Sequence, residues 1–135
     1  CGVRDMQALR GVEDGKAYQK GMNNTTTAYD LMRIFEHMAA GKIIRPSDCE
    51  SMIRILMDQE FNEIIPAGLP AQVKVAHKTG SITGVRHDSG IIFLPDGRKY
   101  VLVLLSKGLQ GEDAGVKAMA RVSGRIYDFM MRKRT

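Results

Sequence analysis

The chain of 135 residues contains no tryptophan, and its aromatics are limited to four phenylalanines and four tyrosines. They are not interleaved in a stacking pattern with the basic residues, which are scattered along the chain. The net charge of +5 therefore does not read as a nucleic-acid surface, which needs clustered cations and stacking platforms. Only two cysteines occur, Cys1 and Cys49, and their spacing offers neither a metal site nor a disulfide framework. No metal or cofactor is expected. Long apolar runs are missing too: the longest, Val101–Leu105, falls far short of the roughly 18 residues a membrane span requires. There is no low-complexity tract and no repeat. No leader segment is recognisable; the first residue is Cys rather than Met, so a fragment is expected and that absence carries no weight. What remains is ordinary globular composition, 44% apolar and 26% charged, enough for one domain or a piece of a larger one with a sizeable core.

The most informative stretch runs from Val73 to Ser81. Val73, Val75 and His77 alternate with Lys74, Ala76 and Lys78, which predicts a strand whose buried face carries the first set. Lys78, Thr79 and Gly80 then bring a cation, a hydroxyl and a bare backbone together in succession. Such a trio can hold a carboxylate through Lys78 and Thr79, while backbone N–H groups near Gly80 and Ser81 face a second oxygen. Gly80 would allow a ligand or another backbone to approach closely. The tripeptide arises by chance in about a few per cent of chains this long, so its weight rests on its setting.

Residues 1 to 24 read mostly as loop. Within them Arg10-Gly11-Val12-Glu13-Asp14-Gly15 places two acids between glycines, which is either a solvated turn or a bend that projects a carboxylate. A helix follows, with Thr27 as cap, Asp30 as the acid of a capping box, and Ala28, Leu31, Met32, Phe35, Met38 and Ala39 as one apolar stripe closed by Gly41. His37 lies off that stripe. A second helix over roughly 48–58 is expected, with Ser47 as cap and Glu50 three residues on, burying Met52, Ile55 and Leu56. Cys49 in its first turn is expected to be structural, because no His or other base stands near it in sequence. Asn62–Gln72 is an irregular link directing Ile64, Ile65 and Leu69 inward.

After Gly80 the pattern predicts a loop through Asp88, a strand at Gly90–Leu94, a turn at Pro95-Asp96-Gly97-Arg98, and a returning strand at Tyr100–Leu105. The second of these strands is apolar at every position from Val101 on, so both sheet faces should be covered. One cover is a long helix from about Glu112, marked by Val116, Met119, Val122, Ile126, Tyr127 and Met130. Its end at Arg132-Lys133-Arg134 suits the helix dipole. The expected fold class is α/β in the broad sense (α+β): three antiparallel strands covered by helices, with at least one further strand outside the chain.

In this order, His77-Lys78-Thr79-Gly80, Gly84, His87-Asp88-Ser89-Gly90, a hairpin and a long terminal helix resemble the C-terminal half of class A β-lactamases and related penicillin-interacting serine hydrolases. Asn23-Asn24-Thr25-Thr26-Thr27-Ala28, opening a helix, resembles the segment that follows the Ω-loop in that family. The family's motifs are S-x-x-K, S-D-N and K-T-G. Only the last is present: none of the serines has a lysine three residues later, and Ser47-Asp48-Cys49 is the nearest approach to S-D-N.

The resemblance implies a partial β-lactamase-like fold, with residues 1–24 as an Ω-loop-like segment, 25–72 as two helices and a linker, and 73–135 as strands and terminal helix. It implies an acyl-serine mechanism whose nucleophile-bearing helical region is absent from this chain. By analogy Lys78 and Thr79 hold the substrate carboxylate with Gly80 beside them, Arg86 adds a second cation, Ser81 N–H is an oxyanion donor, and Glu13 is the deacylating base. The implied substrate is a small-molecule β-lactam or a D-Ala-D-Ala-like peptide, handled by a β-lactamase, a carboxypeptidase or a non-catalytic sensor. The implied partner is the N-terminal half of the same protein or a second copy, and the implied compartment is periplasmic, secreted or cell-surface.

Overall fold

The computed structural model of the chain describes residues 1–133, so Arg134 of the expected basic tail lies outside the described residues. Three strands, β1 (Lys74–Ile82), β2 (Val85–Phe93) and β3 (Lys99–Leu105), form an antiparallel sheet in the order β1-β2-β3. Ahead of them come a short helix α1 (Gly15–Gln19), then α2 (Ala28–Ala39) and α3 (Pro46–Met57), and a 3₁₀ turn at Pro66–Gly68; α4 (Glu112–Arg132) follows.

The register places Val75, Ile92 and Tyr100 in one cross-strand row and His77, Gly90 and Leu102 in the next row of the same face. That face packs against Ile64, Ile65 and the α4 residues Val116, Met119, Ile126 and Tyr127. On the opposite face Ala76, Ile91, Val101 and Phe93 meet Phe35 and Ala39 of α2 and Ile53 and Leu56 of α3. Both faces are thus covered, as expected; on the Ala76 side of β1 Lys74 and Lys78 are exposed, but Ala76, which the alternation left off the buried face, is fully buried. A small side chain at this position lets α3 pack close to the strand, which alternation alone does not convey.

Other expectations shift for identifiable reasons. The predicted loop after Gly80 is instead a tight hairpin, with Ile82 paired to Val85 and only Thr83-Gly84 between them; Gly84 takes a φ of +70° that favours glycine. The polar residues Arg86, His87 and Asp88 belong to β2 because main-chain pairing, not side-chain hydrophobicity, holds them there. In α3 the start is Pro46 at the first position, preceded by Arg45, and Ser47 makes no cap; Arg45 pairs with Asp48 instead. Consequently Ile53 faces the core and Ile55 is exposed. Ala28 of the α2 stripe is exposed, and in α4 Ser123 is buried where Val122 was expected; its hydroxyl donates to Ile65 O at 2.9 Å.

Thr27 does cap α2, accepting from Asp30 N at 3.1 Å. Asp30 differs from the capping-box expectation. Its carboxylate is buried and accepts from Arg4 N and Asp5 N, each at 2.9 Å, so it pins the N-terminal segment to α2. These backbone donors, Arg4 first, hold its carboxyl below the ordinary aspartate value against the opposing effect of burial. Residues 1–24 are mostly irregular, as expected, apart from the short helix α1, and a single bridge between Gln7 and Thr25 joins them to the start of α2.

Candidate active site

Among the described residues β1 is an edge strand, bonded to β2 on one side only, so the Lys78–Ser81 stretch leaves one flank of main chain unpaired within the sheet. Beside it lies a cleft of about 670 Å³, a size suited to a small molecule. Lys78, Thr79, Gly80 and Ser81 form one wall, Arg86 and His87 of β2 continue it, and Phe61, Glu63 and Ile64 of the linker face them with Asp113 and Val116 of α4. The predicted Lys-Thr-Gly-Ser residues and Arg86 are therefore brought together.

Lys78 is exposed, and its ammonium donates to the Thr79 carbonyl at 2.6 Å. Among the described residues it forms no salt bridge, leaving its remaining N–H groups able to meet an incoming anion. Arg86 is different. It pairs with Glu112 at the start of α4 and also donates to the Ser81 hydroxyl. Glu112 in turn accepts from Gly84 N at 3.0 Å, locking the hairpin tip to α4. The expected second cation is thus already partnered, and Lys78 carries the unpaired positive charge of the wall. A side-chain carbon added at Gly80 would meet His87 at an ordinary 3.6 Å, so among the described residues no neighbour demands a glycine there.

Glu13 is exposed ahead of α1 and does not line the cleft among the described residues. Its neighbour Asp14 caps α1 by accepting from Ala17 N at 2.9 Å. The proximity of the two acids in sequence gave no means of separating a cap from a site residue. Sequence reasoning also missed Glu112, whose role appears only when α4 folds back onto the hairpin, and the linker residues Phe61 and Glu63.

The sequence model of the beta-lactamase enzyme family matches residues 1–130. The chain belongs to that family. A curated beta-lactamase of Bacteroides uniformis is 36% identical over 134 residues, covering 90% of this chain and 45% of its own length. Among solved structures, a mutant of PBP-A captured as its acyl-enzyme complex with penicillin G matches with a TM-score of 0.82 and 27% identity, over 97% of this chain and 48% of that one. A class A beta-lactamase from Bacteroides cellulosilyticus shares the fold, with a TM-score of 0.79 and 23% identity over 96% of this chain and 50% of that one. The chain thus spans about half the length of the relatives it matches. Within the family frame, the partial sheet and its two helical covers are the observed counterpart of the expected partial β-lactamase-like fold.

Proposed function

We propose that the chain supplies the Lys-Thr-Gly wall of a serine β-lactamase-like site, in which a β-lactam amide is opened through an acyl-serine intermediate. The observation that carries this reading is the alignment of Lys78, Thr79 and Ser81 along an open strand edge beside a cleft of ligand size. The substrate carboxylate sits on Lys78 and the Thr79 hydroxyl, a charge-assisted contact stronger than a neutral hydrogen bond. The substrate amide runs along the β1 edge as an added strand, and Ser81 N–H faces the developing oxyanion. Gly80 keeps the strand edge between them low, and Arg86 acts through Ser81, whose hydroxyl it holds, rather than as a free second cation.

The nucleophile comes from sequence outside these residues, since none of the family's S-x-x-K pattern is present. It is contributed by an N-terminal half of the same protein or by association with another chain. The compartment proposed is the periplasm, exterior or cell surface, where β-lactams and peptidoglycan stems are met. Intact-mass measurement of the 135-residue chain with penicillin tests the division of labour: no covalent adduct is expected, and an adduct on this chain alone defeats it.

A second reading is a carboxypeptidase or penicillin-binding protein that stalls as the acyl-enzyme. It is favoured by the exposed position of Glu13, which leaves the deacylating base unassigned in the cleft, and by the likeness to PBP-A with penicillin G attached. Rapid turnover of a chromogenic cephalosporin by the complete protein supports the hydrolase; a long-lived adduct supports the alternative.

A further inference from the structure

His77, the residue before Lys78, is buried within the sheet although its side chain is ionisable. Its Nδ1 lies 2.8 Å from Asp88 Oδ1, and the other Asp88 oxygen accepts from Ile65 N at 2.9 Å. Its Nε2 lies 3.3 Å from Asn62 Oδ1. The orientation of Asn62 is fixed independently, because its amide nitrogen donates to the carbonyls of Gln59 at 3.2 Å and Glu60 at 3.0 Å. Turning the amide over would set an oxygen against two carbonyl oxygens. Both ring nitrogens of His77 therefore face acceptor oxygens, an arrangement in which a ring bearing a proton on each nitrogen donates to both.

The space for this ring is built into the partner strand. Gly90 stands directly opposite His77, and a side-chain carbon there would lie 2.6 Å from His77 Cβ and 2.5 Å from Ala76 O. The buried ring thus links three pieces of chain: β1 at the root of the Lys-Thr-Gly run, β2 through Asp88, and the linker that carries Phe61, Glu63 and Ile64 to the far side of the cleft.

We propose that His77 is a positioning residue, held as a doubly protonated ring between Asp88 and Asn62, that sets the separation of the Lys78–Ser81 wall from the Phe61–Ile64 wall. It touches no substrate. Its value to catalysis rests on the acyl-transfer reading above, but its charge state and its hold on the linker do not.

The test uses the chain itself, with nitrogen-15 in its imidazoles. In the wild type at neutral pH, both His77 ring nitrogens are expected to show directly bonded protons; a ring with one unprotonated nitrogen overturns the proposal. Asn62 is exposed, so Asn62→Ala is expected to leave the chain folded while removing the Nε2 acceptor. In that variant the ring is expected to lose its second proton, and the Ile65 amide and the β2-bonded amides between His77 and Ser81 should exchange about tenfold faster, as for local loosening by one hydrogen bond. Unchanged protonation and exchange in a folded Asn62→Ala variant would also overturn it. No β-lactam enters either measurement, so failure of the substrate reading is distinguishable from failure of this one.

Discussion

Gly90 is a residue whose identity is dictated by its neighbour across the sheet. With 2.5 Å to Ala76 O and 2.6 Å to His77 Cβ, Gly90→Ala forces main chain apart in the middle of the sheet. A loss of about 1–3 kcal/mol is expected from such overpacking, read by urea denaturation. Asp30 offers a test by pH. Its carboxyl is held below the ordinary value by the N–H groups of Arg4 and Asp5, so its contribution is fully present above about pH 3.9 and is lost as pH falls through the lowered value. Acid titration followed by amide exchange should therefore release Arg4 and Asp5 only below that point, and Asp30→Asn should release them at neutral pH. Neither role is legible in the sequence. Asp30 has the spacing of a capping box, and its true partners lie 25 and 26 positions away; Gly90 reads as a flexible strand entry until its register partner is known.

At the scale of elements, the 3₁₀ turn and α4 meet through their glycines. A carbon added at Gly68 would come within 2.1 Å of Ala120 O and 2.8 Å of Gly124 N, and one at Gly124 within 2.8 Å of Gly68 O. Main chain meets main chain here, beside the hydrogen bond from Ser123 to Ile65 O. Gly68→Ala is expected to cost about 3 kcal/mol, the upper part of the overpacking range, because no flexible side chain can yield. The contact also matters for the cleft, since the same linker carries Phe61, Glu63 and Ile64. Thermal unfolding of Gly68→Ala should thus fall by several degrees, with faster exchange at Ile65. The elements themselves were largely readable: the periodicity of α2 and the turn at Pro95–Arg98 appear where the pattern places them. The faces of α3 and α4 were less so. Ile53 against Ile55, and Ser123 against Val122, are decided by small rotations that depend on what each helix packs against.

The whole molecule presents apolar surface on α3 and on the outer side of α4. Ile55 is 73% exposed, Phe129 56% and Val122 46%, and the last two flank a groove with Ile126 between them. Exposed apolar surface of the kind on α4 favours association. Sedimentation or light scattering of the 135-residue chain is expected to show association, with Val122→Asp and Phe129→Asp together shifting it toward monomer; a monodisperse wild-type monomer would contradict this. By itself the sequence determined the strand that bears Lys78, Thr79 and Ser81, the helices around it, and the family resemblance, because each is encoded by short-range periodicity or contiguous residues. Only the tertiary structure decided which charges remain available: Arg86 is held by Glu112 from 26 positions away, Glu13 stays outside the cleft, and His77 is enclosed by Asp88 and Asn62. Those outcomes depend on how the chain brings distant side chains within hydrogen-bonding distance, a property of the packed fold that no local pattern specifies.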